Sequence, residues 1–379
     1  MAISHRKPYN FSAGPAILPP IVFERAADAV QELRQSAHDP TAPGCGLSIL
    51  EMSHRGADFD AVFKRAQALC HEVLEIPATH EVLFLQGGAS LQFAMVPQNL
   101  GIAGKPAAYV DTGAWSKKAI AEAKVAGEVR VIASSAETRY DRIPELPPPA
   151  SYADASYVHI TSNNTIYGTE FAALPEVGEV PLVVDFSSNI GSRPVSFDRI
   201  GVAYAGAQKN LGPSGLTLVA IHRDLVERRV SDQVPLISRY ATHVKASSLY
   251  NTPNTFGVLV LMLVLEWMRD HGGLEGMFQR NERKAAPLYQ FLDESQLFRP
   301  HAQPGSRSQM NVVWTLDGAP EAERDAQTKA FLSAANQAGF SGLKGHRSVG
   351  GCRASIYNAF PPEGVEALVE FMRNYERQQ

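Results

Sequence analysis

The stretch Leu182-Val183-Val184-Asp185-Phe186-Ser187-Ser188 is an unbroken apolar run that ends on a carboxylate. A strand exposed on one face would alternate apolar and polar residues, so this one reads as covered on both faces, as in parallel sheets. Open α/β sheets bind ligands at the C-terminal ends of their strands, which places Asp185 at a ligand-facing edge. Outward from it, similar short units recur at Val82-Leu83-Phe84-Leu85, Ala107-Ala108-Tyr109-Val110, Val129-Arg130-Val131-Ile132, Tyr157-Val158-His159-Ile160, Val202-Ala203-Tyr204-Ala205 and Leu216 to Ile221. Longer amphipathic or loop segments separate them. That rhythm predicts the α/β class, with a mainly parallel sheet covered by helices on both sides. After it come a helix over 255–270 stopped by Gly272-Gly273, a helix over 282–293, a strand over 310–316, a helix over 321–337, a strand over 353–357 and a helix over 363–377. Few strands among helices predict a smaller α+β domain. A chain of 379 residues exceeds one ordinary core, and we expect a large domain over 15–260 and a small one from 1–14 plus 261–379.

Composition excludes several classes of function. The chain is 45% hydrophobic and 20% charged, as in soluble globular proteins. With 35 Lys and Arg against 39 Asp and Glu it has no overall basic field, so nucleic acid is not an expected partner. The cysteines Cys45, Cys70 and Cys352 are widely spaced and odd in number, which points to a reducing compartment and away from a structural metal. Met1-Ala2-Ile3-Ser4-His5-Arg6-Lys7-Pro8 carries no apolar segment behind its basic residues, so a cytosolic location is expected. The longest apolar run, Val258 to Leu265, ends at Glu266 and falls short of the ~20 residues of a membrane span. Pro144 to Pro149 reads as a surface crossing within the large domain.

Chemistry concentrates in Ala205-Gly206-Ala207-Gln208-Lys209-Asn210-Leu211-Gly212-Pro213-Ser214-Gly215. A lysine stripped of hydration is a nucleophile toward carbonyls, and its small neighbours leave room for a planar cofactor. Lys209 is thus a candidate for a Schiff base. Pyridoxal phosphate needs such a lysine on its aldehyde and an acid on its ring nitrogen, and Asp185 supplies the second. Either residue alone reads more readily as a solvated surface group; the pair carries the assignment. In Gln86-Gly87-Gly88-Ala89-Ser90-Leu91-Gln92-Phe93 a glycine turn opens a helix, whose free N–H groups suit a phosphate. Val110-Asp111-Thr112-Gly113-Ala114-Trp115 presents an indole at the same sheet edge, able to stack on a flat ring. Thr165 follows another strand and offers a hydroxyl. Neither G-x-x-x-x-G-K-[ST] nor G-x-G-x-x-G occurs. A second cluster is cationic: His54-Arg55, and Lys344-Gly345-His346-Arg347 leading to Arg353. Guanidinium forks grip carboxylate and phosphate, which implies a small polyanionic substrate.

These motifs, with Asn10 to Ala16, Met52 to Arg55, Tyr250-Asn251-Thr252-Pro253 and Gly345 to Phe360, span nearly the whole chain. In them the sequence resembles the phosphoserine aminotransferases, among the class V, fold-type I pyridoxal-phosphate enzymes. The resemblance implies that Lys209 bonds the cofactor, Asp185 pairs with its pyridinium, Trp115 stacks on its ring and Thr165 contacts the ring oxygen. It places the phosphate on Ala89, Ser90 and Gln208, with Asn251 and Thr252 reaching in from the second subunit of a homodimer. Arg353 is implied as the clamp for the substrate α-carboxylate, and His54, Arg55, His346 and Arg347 as the cradle for its distal anion. Some members carry Arg at the position of Ser90, so here the phosphate preference is expected to rest more on Arg55, His346 and Arg347. The implied reaction exchanges the amino group between L-phosphoserine/3-phosphohydroxypyruvate and glutamate/2-oxoglutarate in serine synthesis, with phosphohydroxythreonine of pyridoxine synthesis as a further substrate. Alternatives are an alanine/glyoxylate-type transaminase, a cysteine desulfurase or a catalytically silent cofactor-binding protein. A desulfurase needs a mobile thiolate, whereas Cys352, between Gly351 and Arg353, reads as a filler.

Overall fold

Seven strands build the central sheet: β1 (His80–Leu85), β2 (Ala107–Asp111), β3 (Val129–Ser134), β4 (Val158–Thr161), β5 (Leu182–Asp185), β6 (Ile200–Gly206) and β7 (Thr217–His222). Their spatial order is β1-β7-β6-β5-β4-β2-β3. The computed structural model describes residues 8–34, 43–228, 230–317 and 321–379; the N-terminal octapeptide reading therefore falls, apart from Pro8, outside the described residues. Neighbouring strands run parallel from β6 to β3, while β7 is antiparallel to both β6 and β1. The reason is local: β6 and β7 are joined by the loop 207–216, too short for the crossover that a parallel connection requires. That reversal loop carries Lys209.

Alternation along β5 divides its side chains between two cores. Leu182 and Val184 join the core formed with helices Ala57–Val73 and Thr255–Asp270. Val183 joins the opposite core, under helices Gly88–Leu100 and Ala114–Ala126. By the same period Asp185 leaves the sheet on the second face, the face of Trp115.

A separate core gathers Phe11, Phe298, Trp314, Phe331 and Phe360 around a three-stranded antiparallel sheet of Phe298–Pro300, Asn311–Leu316 and Cys352–Ser355. Near the N-terminus, Tyr9–Asn10 pairs in parallel with Phe340–Ser341. The helix expected over 282–293 runs instead from Gly273 to Glu294. Gly276 and Pro287 obscure its pattern in sequence, yet Leu274 and Met277 pack into the large core and Ala285, Leu288 and Phe291 into the smaller one. One helix thus belongs to both. Among the described residues, no helix is long and apolar enough to cross a membrane, and no group of three or more His, Cys, Asp or Glu is arranged to hold a metal.

Candidate cofactor and substrate site

The turn around Lys209 is fixed from inside. Ala207 N–H bonds to Leu216 O at 2.9 Å and Gly212 N–H to Ala207 O at 2.8 Å. Asn210 donates to Ile190 O at 2.9 Å and accepts from Asn358 N–H at 3.1 Å. Lys209 is consequently held only 9% exposed. Its Nζ donates to Thr165 Oγ1 at 3.1 Å and stands 5.8 Å from the centroid of the Trp115 ring. Burial pulls the amine down to about 8; the charge of Asp185 opposes this and that of Arg353 adds to it. At pH 7 about a tenth is then unprotonated, far more than for a solvated lysine, as a nucleophile or base requires.

Asp185 is buried at the end of β5, where Oδ1 accepts the Ser187 N–H at 2.9 Å. Burial raises its pKa, while hydrogen bonding by Ser187 and the charge of Lys209 lower it. The Ser187 hydroxyl in turn accepts the Gly206 N–H at 3.2 Å, tying the acid to the strand that delivers Lys209. Sequence reasoning quoted Ser187 without giving it a task; the signal was the Asp-x-Ser spacing, which lets a carboxylate bond its own backbone two residues on.

Thr165 is the point at which distant segments meet. It sits in the tip of a hairpin formed by Asn163–Asn164 and Thr169–Glu170. Besides Lys209, its Oγ1 accepts Trp115 Nε1–H at 3.1 Å, and its carbonyl accepts from Arg353 Nη1 at 3.3 Å. The hairpin is stitched to the smaller sheet. Asn163 donates to Asn311 Oδ1 at 2.9 Å, Ser308 N–H to Gly168 O at 3.0 Å, and Gln309 N–H to the buried Glu170 Oε2 at 3.1 Å. Arg353 leaves its Nε buried with no acceptor. A buried orphan donor costs about 1–3 kcal/mol, and a carboxylate would satisfy it. Burial also lowers the Arg353 pKa from its ordinary value.

Beside this group the helix Gly88–Leu100 begins. Gly87 and Gly88 have φ of +85° and +64°, a region that disfavours side chains, and nothing lies within 4 Å of where a Cβ on Gly88 would stand. No acidic residue or side-chain cap occupies this first turn, which leaves the helix start free to take an anion. Gln208 borders Gly206, where an added Cβ would lie 2.5 Å from Gln208 Oε1. The exposed Asn251 donates to Gln86 Oε1 at 3.4 Å, and Gln86 Nε2 donates to Thr252 O at 3.0 Å. That segment lies beside the glycine turn of its own chain.

The cationic residues divide into two groups. His346 is half-buried and Arg347 exposed; burial lowers the His346 pKa, and the charges of Arg353, Arg347 and Lys118 lower it further. The charges of Arg347 and Arg353 thus both reach His346. Among the described residues, no hydrogen bond, ion pair or ring contact links His54 or Arg55 to Lys209, Thr165 or Arg353; the Arg55 N–H bonds locally to Ser53 Oγ at 3.3 Å. Cys352 is fully buried and its thiol pKa is pushed far up by desolvation, so it offers no thiolate nucleophile.

Residues 8–368 match the aminotransferase class-V family model. The phosphoserine aminotransferase of Geobacillus kaustophilus is 49% identical over 98% of this chain and 99% of its own length. Among solved structures, a phosphoserine aminotransferase from Bacillus circulans subsp. alkalophilus superposes with a TM-score of 0.89 at 46% identity, covering 98% of this chain and 99% of that one. The pyridoxal-phosphate-bound enzyme from Trichomonas vaginalis gives 0.88 at 34% identity, covering 97% and 100%. The chain belongs to the class-V aminotransferases, and within them to the phosphoserine aminotransferase family. Its cofactor is pyridoxal phosphate. The residues present fit that group: a buried amine of lowered basicity, a buried carboxylate on the neighbouring strand, an indole beside the amine, and an uncapped helix start.

Proposed function

We propose that this chain exchanges the amino group between L-phosphoserine/3-phosphohydroxypyruvate and glutamate/2-oxoglutarate, the step of serine synthesis that joins these pairs. The observation that carries the reading is the convergence of Lys209, Trp115 and Arg353 on Thr165, which puts a base, a stacking surface and a carboxylate clamp around one point. Bound pyridoxal phosphate supplies the aldehyde that takes up the amino group and the ring that delocalises the electron pair left at Cα. Lys209 Nζ, unprotonated, accepts the Cα proton, and Thr165 Oγ1 orients that amine. Asp185 holds a negative charge against the cofactor's ring nitrogen. Ala89, Ser90 and Gln208 bind the cofactor phosphate at the helix start, and the exposure of Asn251 and Thr252 suits a contribution across a homodimer. The Nε and Nη groups of Arg353 take the substrate α-carboxylate, filling the orphaned donor.

At the distal end His346 and Arg347 of the same chain receive phosphate or carboxylate. His54 and Arg55, unconnected to these within one chain, belong to the same cradle if the partner subunit brings them. Phosphohydroxythreonine presents the same amino-acid and phosphate ends and is a further proposed substrate. The separate core around Phe11, Phe298 and Phe360 supports a smaller domain that joins the N-terminal segment to the C-terminal part of the chain; the boundary expected at 260/261 instead falls inside helix Thr255–Asp270, and the large core reaches to Met277, while 1–7 lie outside the described residues. Free Cys45, Cys70 and Cys352 suit a cytosolic setting.

The test is a coupled assay of phosphoserine formation from 3-phosphohydroxypyruvate and glutamate, with Lys209→Ala alongside. Turnover by the wild type, lost in the variant together with borohydride fixation of cofactor to the chain, is expected. A wild type that transaminates only alanine or glyoxylate would refute the proposal.

A further inference from the structure

Lys118 lies outside the residues so far given a role, and its surroundings do not explain it as a solubilising surface group. It projects from the second turn of helix Ala114–Ala126, and its Nζ stands 4.7 Å from the centroid of the Trp115 ring. The same indole lies 5.8 Å from Lys209 Nζ. Next to it, Lys117 Nζ stands 5.1 Å from the Tyr140 ring. Two lysines near the positive end of a helix, with no acidic residue in its first turn, run against the helix dipole.

The loop that carries His346 and Arg347 comes to the same place: its Val349 packs against the cluster of Tyr140, Ile166 and Tyr167 that Trp115 also joins. The charges of Arg353, Arg347 and Lys118 accordingly lower the His346 pKa, after burial. Among the described residues, no carboxylate pairs with Lys118, His346, Arg347 or Arg353, although many other arginines of the chain are paired. Basic groups brought to one region without a counter-ion repel one another. An anionic ligand relieves that repulsion, and one of higher charge relieves it more.

We propose that Lys118 is a specificity-determining residue, which binds the distal phosphate of the substrate from the Trp115 side and thereby favours a phosphorylated amino acid over a dicarboxylic one. The inference rests on the activity proposed above. It differs from it in assigning the discrimination to a residue of the indole-bearing helix. A phosphate carries close to two negative charges near pH 7 where a carboxylate carries one, so removal of Lys118 is felt mainly by the phosphorylated substrate.

Steady-state kinetics of Lys118→Met and Lys118→Arg with phosphoserine and with glutamate test this, with Lys117→Met as the neighbouring control. Binding of 3-phosphoglycerate, which has both anionic ends and no amino group to react, supplies a readout independent of turnover. Lys118→Met should raise the phosphoserine KM and the 3-phosphoglycerate Kd by roughly tenfold, the worth of one charge-assisted contact, and the glutamate KM by less than about threefold. Lys118→Arg should stay near wild type, as should Lys117→Met. Equal losses for both amino donors, or unchanged 3-phosphoglycerate binding in Lys118→Met, overturn the role of Lys118 while leaving an active wild-type enzyme in place. A wild type inert toward phosphoserine overturns the activity proposed above, and this inference with it.

Discussion

Removing the cofactor exposes the Lys209 amine to direct titration, and its protonation can be followed by how fast added pyridoxal phosphate recombines. Only the neutral amine attacks an aldehyde. Burial sets Lys209 at about 8 against an ordinary 10.5, so at pH 7.5 about a quarter of the molecules are reactive, compared with about one in a thousand for a solvated lysine. The recombination rate of the apoenzyme, measured by absorbance from pH 6 to 10, should therefore inflect near 8. Neighbouring charges give two signed controls. Arg353→Met removes a charge that lowers the amine's pKa and should move the inflection up; Asp185→Asn removes one that raises it and should move the inflection down. Stability of the apoenzyme follows the same titration. Because the folded value lies below the unfolded one, the unfolded chain binds more protons between about 8 and 10.5. Stability should then rise with pH across that window from this group, and gain nothing from it below. A rate that climbs through pH 10 without an inflection near 8, or an Arg353→Met inflection displaced downward, would refute the reasoning.

Asp185→Asn in the cofactor-loaded enzyme should still allow borohydride to fix the cofactor while turnover falls about 10²–10³-fold, typical of losing one electrostatic contact to developing charge; single-turnover absorbance kinetics separate the two. Arg353→Lys, which keeps the charge and loses the fork, should lower kcat/KM roughly ten- to a hundredfold for phosphoserine and glutamate alike, and a loss confined to one donor would argue against a shared α-carboxylate clamp. Lys284, fully buried, donates to Ile356 O at 2.8 Å and Tyr357 O at 2.5 Å. Lys284→Met should cost about 1–3 kcal/mol of stability by orphaning those carbonyls, measured as a lower urea midpoint with the cofactor spectrum unchanged.

The central sheet was legible because its strands are buried on both faces, so each announces itself as a short apolar run; β5 and β6 differ from their sequence readings only by a residue or two at either end. Lys209 and Asp185 were legible for the same reason, since they terminate or follow those runs. What sequence could not supply depends on contacts between distant segments. The hairpin of Asn163–Asn164 and Thr169–Glu170 has two-residue strands, too short for any period, so Thr165 could be named but not its place as acceptor for Lys209, Trp115 and Arg353 at once. Lys118 reads as one more charge on an amphipathic helix until the loop of His346, over two hundred residues later, is brought to the Trp115 cluster through Val349. The early start of helix Gly273–Glu294 was hidden because glycine and proline weaken a local preference that packing into two cores overrides.

The stitching of the Thr165 hairpin sets unequal freedom on the two ends of the substrate. Arg353 shares Thr165 with Lys209, and the same hairpin is sewn to the smaller sheet through Asn163, Gly168 and Glu170. A substitution that shifts the inner clamp therefore also shifts the base, and selection for a new α-substituent there would trade directly against proton transfer. Lys118 and Arg347 stand on exposed positions outside that seam. The distal end is where this scaffold can be retuned for other acids, one contact at a time, without disturbing its chemistry.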